Sequence, residues 1–206
     1  MSAYATPQET PCRTLKWEST GWENVSWGFH AVRRWSGTAI LAYSRSGSFT
    51  ERYIQKAYRN WFVLDVQWDR AQIKFPLEQK TIEVDHLARE YEVRAGVRGG
   101  LTVWSPDDSD CAKTALGFSL SNLERQGEDA IAGFRSIRYT GLRSKQEHMY
   151  LWLSPSLGCT QMKVLTFAHN SIGLQTSYSR LQLVLVKIGE PDKVLFEAPD
   201  GYRKVR

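Results

Sequence analysis

The sequence predicts an α+β fold that is mainly β: a broad curved antiparallel sheet, a half-open barrel, wrapped around one or two helices. Three observations predict it. Eight Trp and nine Tyr in 206 residues favour strands over helices. Short runs alternating polar and apolar residues recur along the chain, with Gly, Asn and Pro between them. The links between those runs are too short for crossovers, so neighbouring strands must pair antiparallel.

The reading starts in the C-terminal quarter. Ser177 to Ile188 alternates and then turns apolar on both faces through Leu183, Val184, Leu185 and Val186, the pattern of a central buried strand. Gly189, Glu190 and Pro191 stop it, and Leu195 and Phe196 are the expected anchors of the tail. Glu147 to Leu153 and Gln161 to Ala168 are two further strands.

Toward the N-terminus, residues 1–14 read as a flexible leader and 15–206 as a single β-rich domain. From Leu15 to Trp35 two readings stand. Trp17, Trp22, Trp27 and Trp35 suit a pair of aromatic strands, while Val25, Phe29 and Val32 suit one face of a helix over Asn24 to Arg34. Strands follow at Thr38 to Ser44, Phe49 to Tyr58, Trp61 to Trp68, Gln72 to Phe75, Thr81 to Val84 and Arg89 to Val93. Ser46-Gly47 and Arg59-Asn60 are turns. In Trp61 to Trp68, Phe62, Leu64, Val66 and Trp68 share one face, which predicts a half-buried strand. Asp108 or Ser109 is placed to cap a helix through about Arg125, with Leu116, Leu120 and Leu123 on its inner side and residues 126–130 closing it. Strand character resumes at Gly133 to Gly141. The total is nine to eleven strands, with the helix filling the concave face.

Composition narrows the function classes. Hydrophobic residues make up 42% and the formal net charge is +5, with a pI near 9.1. That charge favours anionic partners without defining a fold. No apolar run of about 18 residues is present, so no transmembrane helix is expected, and the first residues lack the regions of a signal peptide. The residues before Cys12, Glu9, Thr10 and Pro11, are not those of a lipid-modified cysteine. Gly96, Gly99 and Gly100 precede the strand-like Leu101 to Trp104, so they form no dinucleotide fingerprint, and no serine-nucleophile motif occurs. Asp107, Asp108 and Asp110 lack the glycine and distant glutamate of a calcium loop. His30, His86, His148 and His169 have no metal-ligand spacing, although His148 and His169 can meet across neighbouring strands. No catalytic residue, metal or cofactor is expected. Basic and aromatic residues interleave around Arg52, Lys56, Arg135 and Arg138, the chemistry of a nucleic-acid surface. Alternation on a half-buried strand accounts for it more simply, so a nucleic-acid partner is not expected unless the four form one patch.

Ile131 to Tyr139, Leu151 to Cys159 and Lys187 to Tyr202 resemble the end of a family of uncharacterised bacterial exported proteins. A glycine-led strand, a tryptophan strand with a Ser-Pro-x-Leu-Gly-Cys turn, and a Gly-Glu-Pro-Asp tail carry the resemblance. That family is similar in architecture to the periplasmic lipoprotein carriers LolA and LolB, half-open barrels with helices over an apolar cavity. The resemblance implies a periplasmic or secreted, non-enzymatic protein holding an apolar, lipid-like ligand or a partner segment. A cytoplasmic protein is the second choice. Phe62, Leu64, Val66, Trp152 and Leu183 are the candidate cavity lining. The alternatives are a hydrolase-like enzyme and a nucleic-acid or protein interaction module, and the sequence leaves the oligomeric state open. In an exported protein Cys111 and Cys159 are the expected disulfide, one at the helix start and one in the turn after the tryptophan strand, closing about 48 residues for about 4 kcal/mol of loop entropy. The alternative is three reduced cysteines.

Overall fold

The computed structural model of the chain describes residues 12–26, 30–59, 66–96, 111 and 121–205. Twelve strands are described: β1 (Arg13–Ser26), β2 (His30–Tyr43), β3 (Phe49–Arg59), β4 (Val66–Phe75), β5 (Lys80–Asp85), β6 (Glu90–Ala95), β7 (Ser121–Ile131), β8 (Phe134–Ser144), β9 (Glu147–Ser154), β10 (Thr160–His169), β11 (Gln175–Ile188) and β12 (Arg203–Lys204). They form a single curved sheet in the order β12-β6-β5-β4-β3-β2-β1-β11-β10-β9-β8-β7. The two ends of that order are not bonded to each other, which leaves the half-barrel open.

The order is two meanders joined along their first and last long strands. β1 to β6 run outward on one side, β11 back to β7 on the other, and β1 pairs antiparallel with β11 through Trp17 opposite Leu183 and Leu15 opposite Val186. The ambiguous stretch at Leu15 to Trp35 is therefore two strands, because β1 and β2 pair along their whole length, from Arg13 opposite Tyr43 to Ser26 opposite His30. Gly21 is required in that pairing. It lies opposite Trp35, and a Cβ there would fall within 2.6 Å of the Tyr178 carbonyl oxygen and collide with the Trp35 ring. Gly21→Ala is expected to cost about 2 kcal/mol, since the backbone on one side cannot yield. Urea unfolding checks it, and a loss below about 0.5 kcal/mol would mean the indole moves aside.

The two meanders bury opposite sides. In the C-terminal one, Ile137, Tyr139, Met149, Leu151, Leu153 and Val164 form a core with the Cys111–Cys159 disulfide, whose Cα atoms are 5.4 Å apart. A second buried cluster joins Leu15, Trp17, Trp152, Met162 and Leu183 with Leu157 of the 3-10 turn Pro155–Leu157. In the N-terminal meander, pairing through Arg52 opposite Ala71 and Ala71 opposite Val84 places Ala71, Ile73, Ile82 and Val84 on the other side. The tail covers them with Phe196, Ala198 and Tyr202. Having crossed to the far edge, it adds β12 parallel to β6, Arg203 opposite Glu90. That parallel pair departs from an all-antiparallel sheet and supplies the twelfth strand. A long connection removes the constraint that makes hairpins antiparallel.

Other expectations change. Leu123 to Arg125 lie in β7, not in a helix, and residues 126–130 continue that strand; the remainder of the expected helix lies outside the described residues, as do Asp107, Asp108 and Asp110. β1 begins at Arg13, before the expected end of the leader. β11 is central by pairing but not buried on both faces. Leu183 is 1% exposed, whereas Val184 is 41% and Leu185 48% exposed. A bulge opposite Lys16 and Trp17 leaves Val184 unpaired, and nothing among the described residues covers Leu185. Gln72 to Phe75 is the end of β4, not a separate strand, and Trp68 near its start is 48% exposed where a buried face was expected.

Candidate functional site

The most suggestive surface is on β8, β9 and β10, on the side of the sheet away from the disulfide core. Alternation along β9 puts Met149, Leu151 and Leu153 in that core and His148, Tyr150 and Trp152 on the opposite face. β10 does the same with Lys163, Leu165 and Phe167. Pairing then lines the rows up. Arg138, Trp152 and Lys163 stand opposite one another across three strands, followed by Thr140, Tyr150 and Leu165, then Leu142, His148 and Phe167. A register shift between Gln161 and Lys163 sets this alignment.

The result is a shallow groove of about 580 Å³ lined by Arg138, His148, Tyr150, Trp152, Lys163, Leu165, Phe167 and His169. Its floor is aromatic. The Tyr150 ring lies 6.4 Å from Trp152 and meets Phe167 edge-on at 6.1 Å, and Phe167 lies 5.3 Å from Tyr178 on β11. At one end the Trp152 indole N–H donates to Asp129 Oδ2 at 2.6 Å, and Arg138 Nη1 lies 3.6 Å from the same oxygen. Lys163 Nζ sits 4.7 Å above the centre of the Trp152 ring. At the other end His148 and His169 do meet, edge-on with ring centres 6.3 Å apart. Trp152 is four residue steps along β9 from His148, about 13 Å at strand rise.

Such a surface offers apolar area and ring faces under a cationic end, which suits holding a molecule. Among the described residues no three His, Cys, Asp or Glu converge as a metal cluster. The expected lining residues part company. Trp152 lines the groove and is also buried in the cluster that holds Leu183, Leu15 and Trp17, whereas Leu183 is not among the groove's lining residues. Val66 opens β4, and Phe62 and Leu64 lie outside the described residues. Sequence reasoning missed Tyr150, Leu165 and Phe167 as a surface. Their two-residue spacing was visible, but their meeting depends on the bulge.

The four basic residues weighed as a nucleic-acid patch do not form one. Arg52 and Lys56 are on β3, Arg135 and Arg138 on β8, with five strands between. Three are ion-paired: Arg52 with Asp69, Arg138 with Asp129, and Arg135 with Glu128, whose carboxyl that hydrogen bond pulls down to about 2.

No family model matches the chain, and no curated protein matches it. Solved structures similar to it include an uncharacterized conserved protein from Thermus thermophilus, at 11% identity over 93% of this chain and 90% of that one with a TM-score of 0.44. MucB of Pseudomonas aeruginosa, solved in complex with MucA, is similar at 16% identity over 91% of this chain with a TM-score of 0.47, and this chain spans 56% of that one. LprF from Mycobacterium bovis is similar at 12% identity over 93% and 90% of the two chains with a TM-score of 0.41. Likenesses of this size transfer neither ligand nor partner.

Proposed function

We propose that the chain is a non-enzymatic binding protein of an exported compartment, holding the apolar chain of a lipid-like ligand in the groove of β8, β9 and β10. The observation that carries this reading is the floor of Tyr150, Trp152, Leu165 and Phe167 on the sheet face opposite the disulfide core, where Tyr150 and Phe167 lie outside the buried clusters. Tyr150 is among the exposed large apolar residues. Aromatic and aliphatic side chains at such a position favour an apolar ligand by removing both surfaces from water. The Cys111–Cys159 disulfide supports the compartment, because such bonds persist in oxidising surroundings.

A titration with a fluorescent fatty acid tests the reading. The wild-type protein is expected to bind, and the double variant Tyr150→Ala, Phe167→Ala to bind at least tenfold more weakly, a difference of about 1.4 kcal/mol. Neither ring is in a buried core cluster, so the variant is expected to keep the unfolding free energy of the wild type, read from urea titration, to within about 1 kcal/mol. Unchanged affinity in a folded variant, or no binding by the wild type, overturns the groove as the site.

A further inference from the structure

Among the described residues, Lys163 is the groove cation for which no ion pair or hydrogen bond is found. Arg138 is paired with Asp129, which also accepts the Trp152 indole N–H, so that carboxylate is occupied twice. Arg180, opposite Leu165 on the neighbouring strand, donates its Nε to Gln182 at 3.1 Å. Lys163 forms no ion pair among the described residues, and its ammonium rests on the Trp152 ring. There it covers the deepest aromatic surface of the groove, since Trp152 is buried while Tyr150 is not.

We infer that Lys163 reads an anionic head group and that its departure from Trp152 opens the floor to the chain behind that head. This rests on the proposed lipid-like ligand and adds its charge: a single-chain amphiphile ending in a carboxylate or a phosphate monoester. An ammonium over a ring is held less strongly than one donating to an acid, so an arriving anion draws Lys163 off the indole. The freed ring face then takes the first methylenes, and the rest of the chain runs along β9 over Tyr150 toward the two histidines. A neutral head offers Lys163 no such exchange and leaves Trp152 covered. Charge thereby selects the ligand, and apolar area holds it.

The test compares a straight-chain fatty acid, the alkyl phosphate and the primary alcohol of the same chain length, each displacing the fluorescent fatty acid below its micellar concentration. The wild type is expected to bind the better of the two acids at least tenfold more tightly than the alcohol. Lys163→Met keeps the apolar stem and removes the charge. It is expected to weaken the acid to the level of the alcohol while leaving the alcohol unchanged or tighter, and Lys163→Arg is expected to restore the preference. Whichever acid binds better identifies the head group. A preference that survives Lys163→Met, or equal binding of acid and alcohol by the wild type, overturns the role of Lys163 and leaves the groove standing. Failure of every probe to bind the wild type overturns both.

Discussion

Replacing Cys111 and Cys159 together by alanine is expected to lower the unfolding free energy by about 4 kcal/mol. The two residues are 48 apart in sequence, and opening a loop of that length returns about that much entropy to the unfolded chain. The location adds to the effect. Cys111 is 0% and Cys159 2% exposed, and both pack in the cluster of Ile137, Tyr139, Met149, Leu151 and Val164. Cys111 is tied to the sheet by this bond, within the connection between β6 and β7, and Cys159 sits between β9 and β10. Cutting the bond therefore frees the connection at the point where it meets the core. Urea unfolding of the oxidised wild type and the double variant measures it. Thiol titration of the denatured wild type should find one reactive group, Cys12. A variant within about 1 kcal/mol of the wild type would show that packing, not the crosslink, holds Cys111 in place.

How much could be read beforehand depends on where the cause of each element lies. β11 was legible because its pattern, and the stop at Gly189 to Pro191, are local. The antiparallel meanders were legible for the same reason, since short turns permit little else. β7 was not. Leu123, Glu124, Arg125 and Gln126 are good helix formers, and shifts between Ser121 and Glu124 and between Arg125 and Gly127 break the alternation that marks a strand. Those bulges and charges suit its place at the edge of the sheet, where they discourage pairing with another chain. At the site, Trp152 was named, but its setting was not. The rows His148, Tyr150, Trp152 and Lys163, Leu165, Phe167 are each visible as alternation, whereas the bulge that brings Lys163 over Trp152 has no signature of its own. The switch of buried side between the two meanders was also hidden, because the cover for Ile73, Ile82 and Val84 arrives from the far end of the chain.

That distant cover leads to the other large effect. Ending the chain after Ile188 is expected to destabilise it by about 4 kcal/mol and to loosen β4, β5 and β6 first. The tail behaves as a strap. Gly189 N–H donates to the Cys12 carbonyl at 2.9 Å, and the Glu190 carboxylate accepts from Arg45 N–H at 3.1 Å. Asp192 caps the 3-10 turn Lys193–Phe196 by accepting from Val194 N–H. Phe196 and Tyr202 then lie on Ala71, Ile73, Ile82 and Val84, with the Tyr202 hydroxyl 3.1 Å from His86 Nδ1. Arg203 and Val205 N–H close the run by donating to Arg89 and Tyr91 carbonyls. Two partly buried aromatic side chains, each worth about 1 kcal/mol, together with the strap's hydrogen bonds at about 0.5 kcal/mol each, account for the magnitude. Removing them also wets the aliphatic face that β4 and β5 share. Hydrogen exchange provides the local reading. Amides of β4 to β6 should lose protection in the shortened chain while those of β8 to β10 keep theirs, because the disulfide core lies in the other meander. Equal loss in both would mean that the sheet unfolds as one cooperative unit and that the tail secures all of it. No loss in either would mean that Phe196 and Tyr202 rest on a face already stable without them.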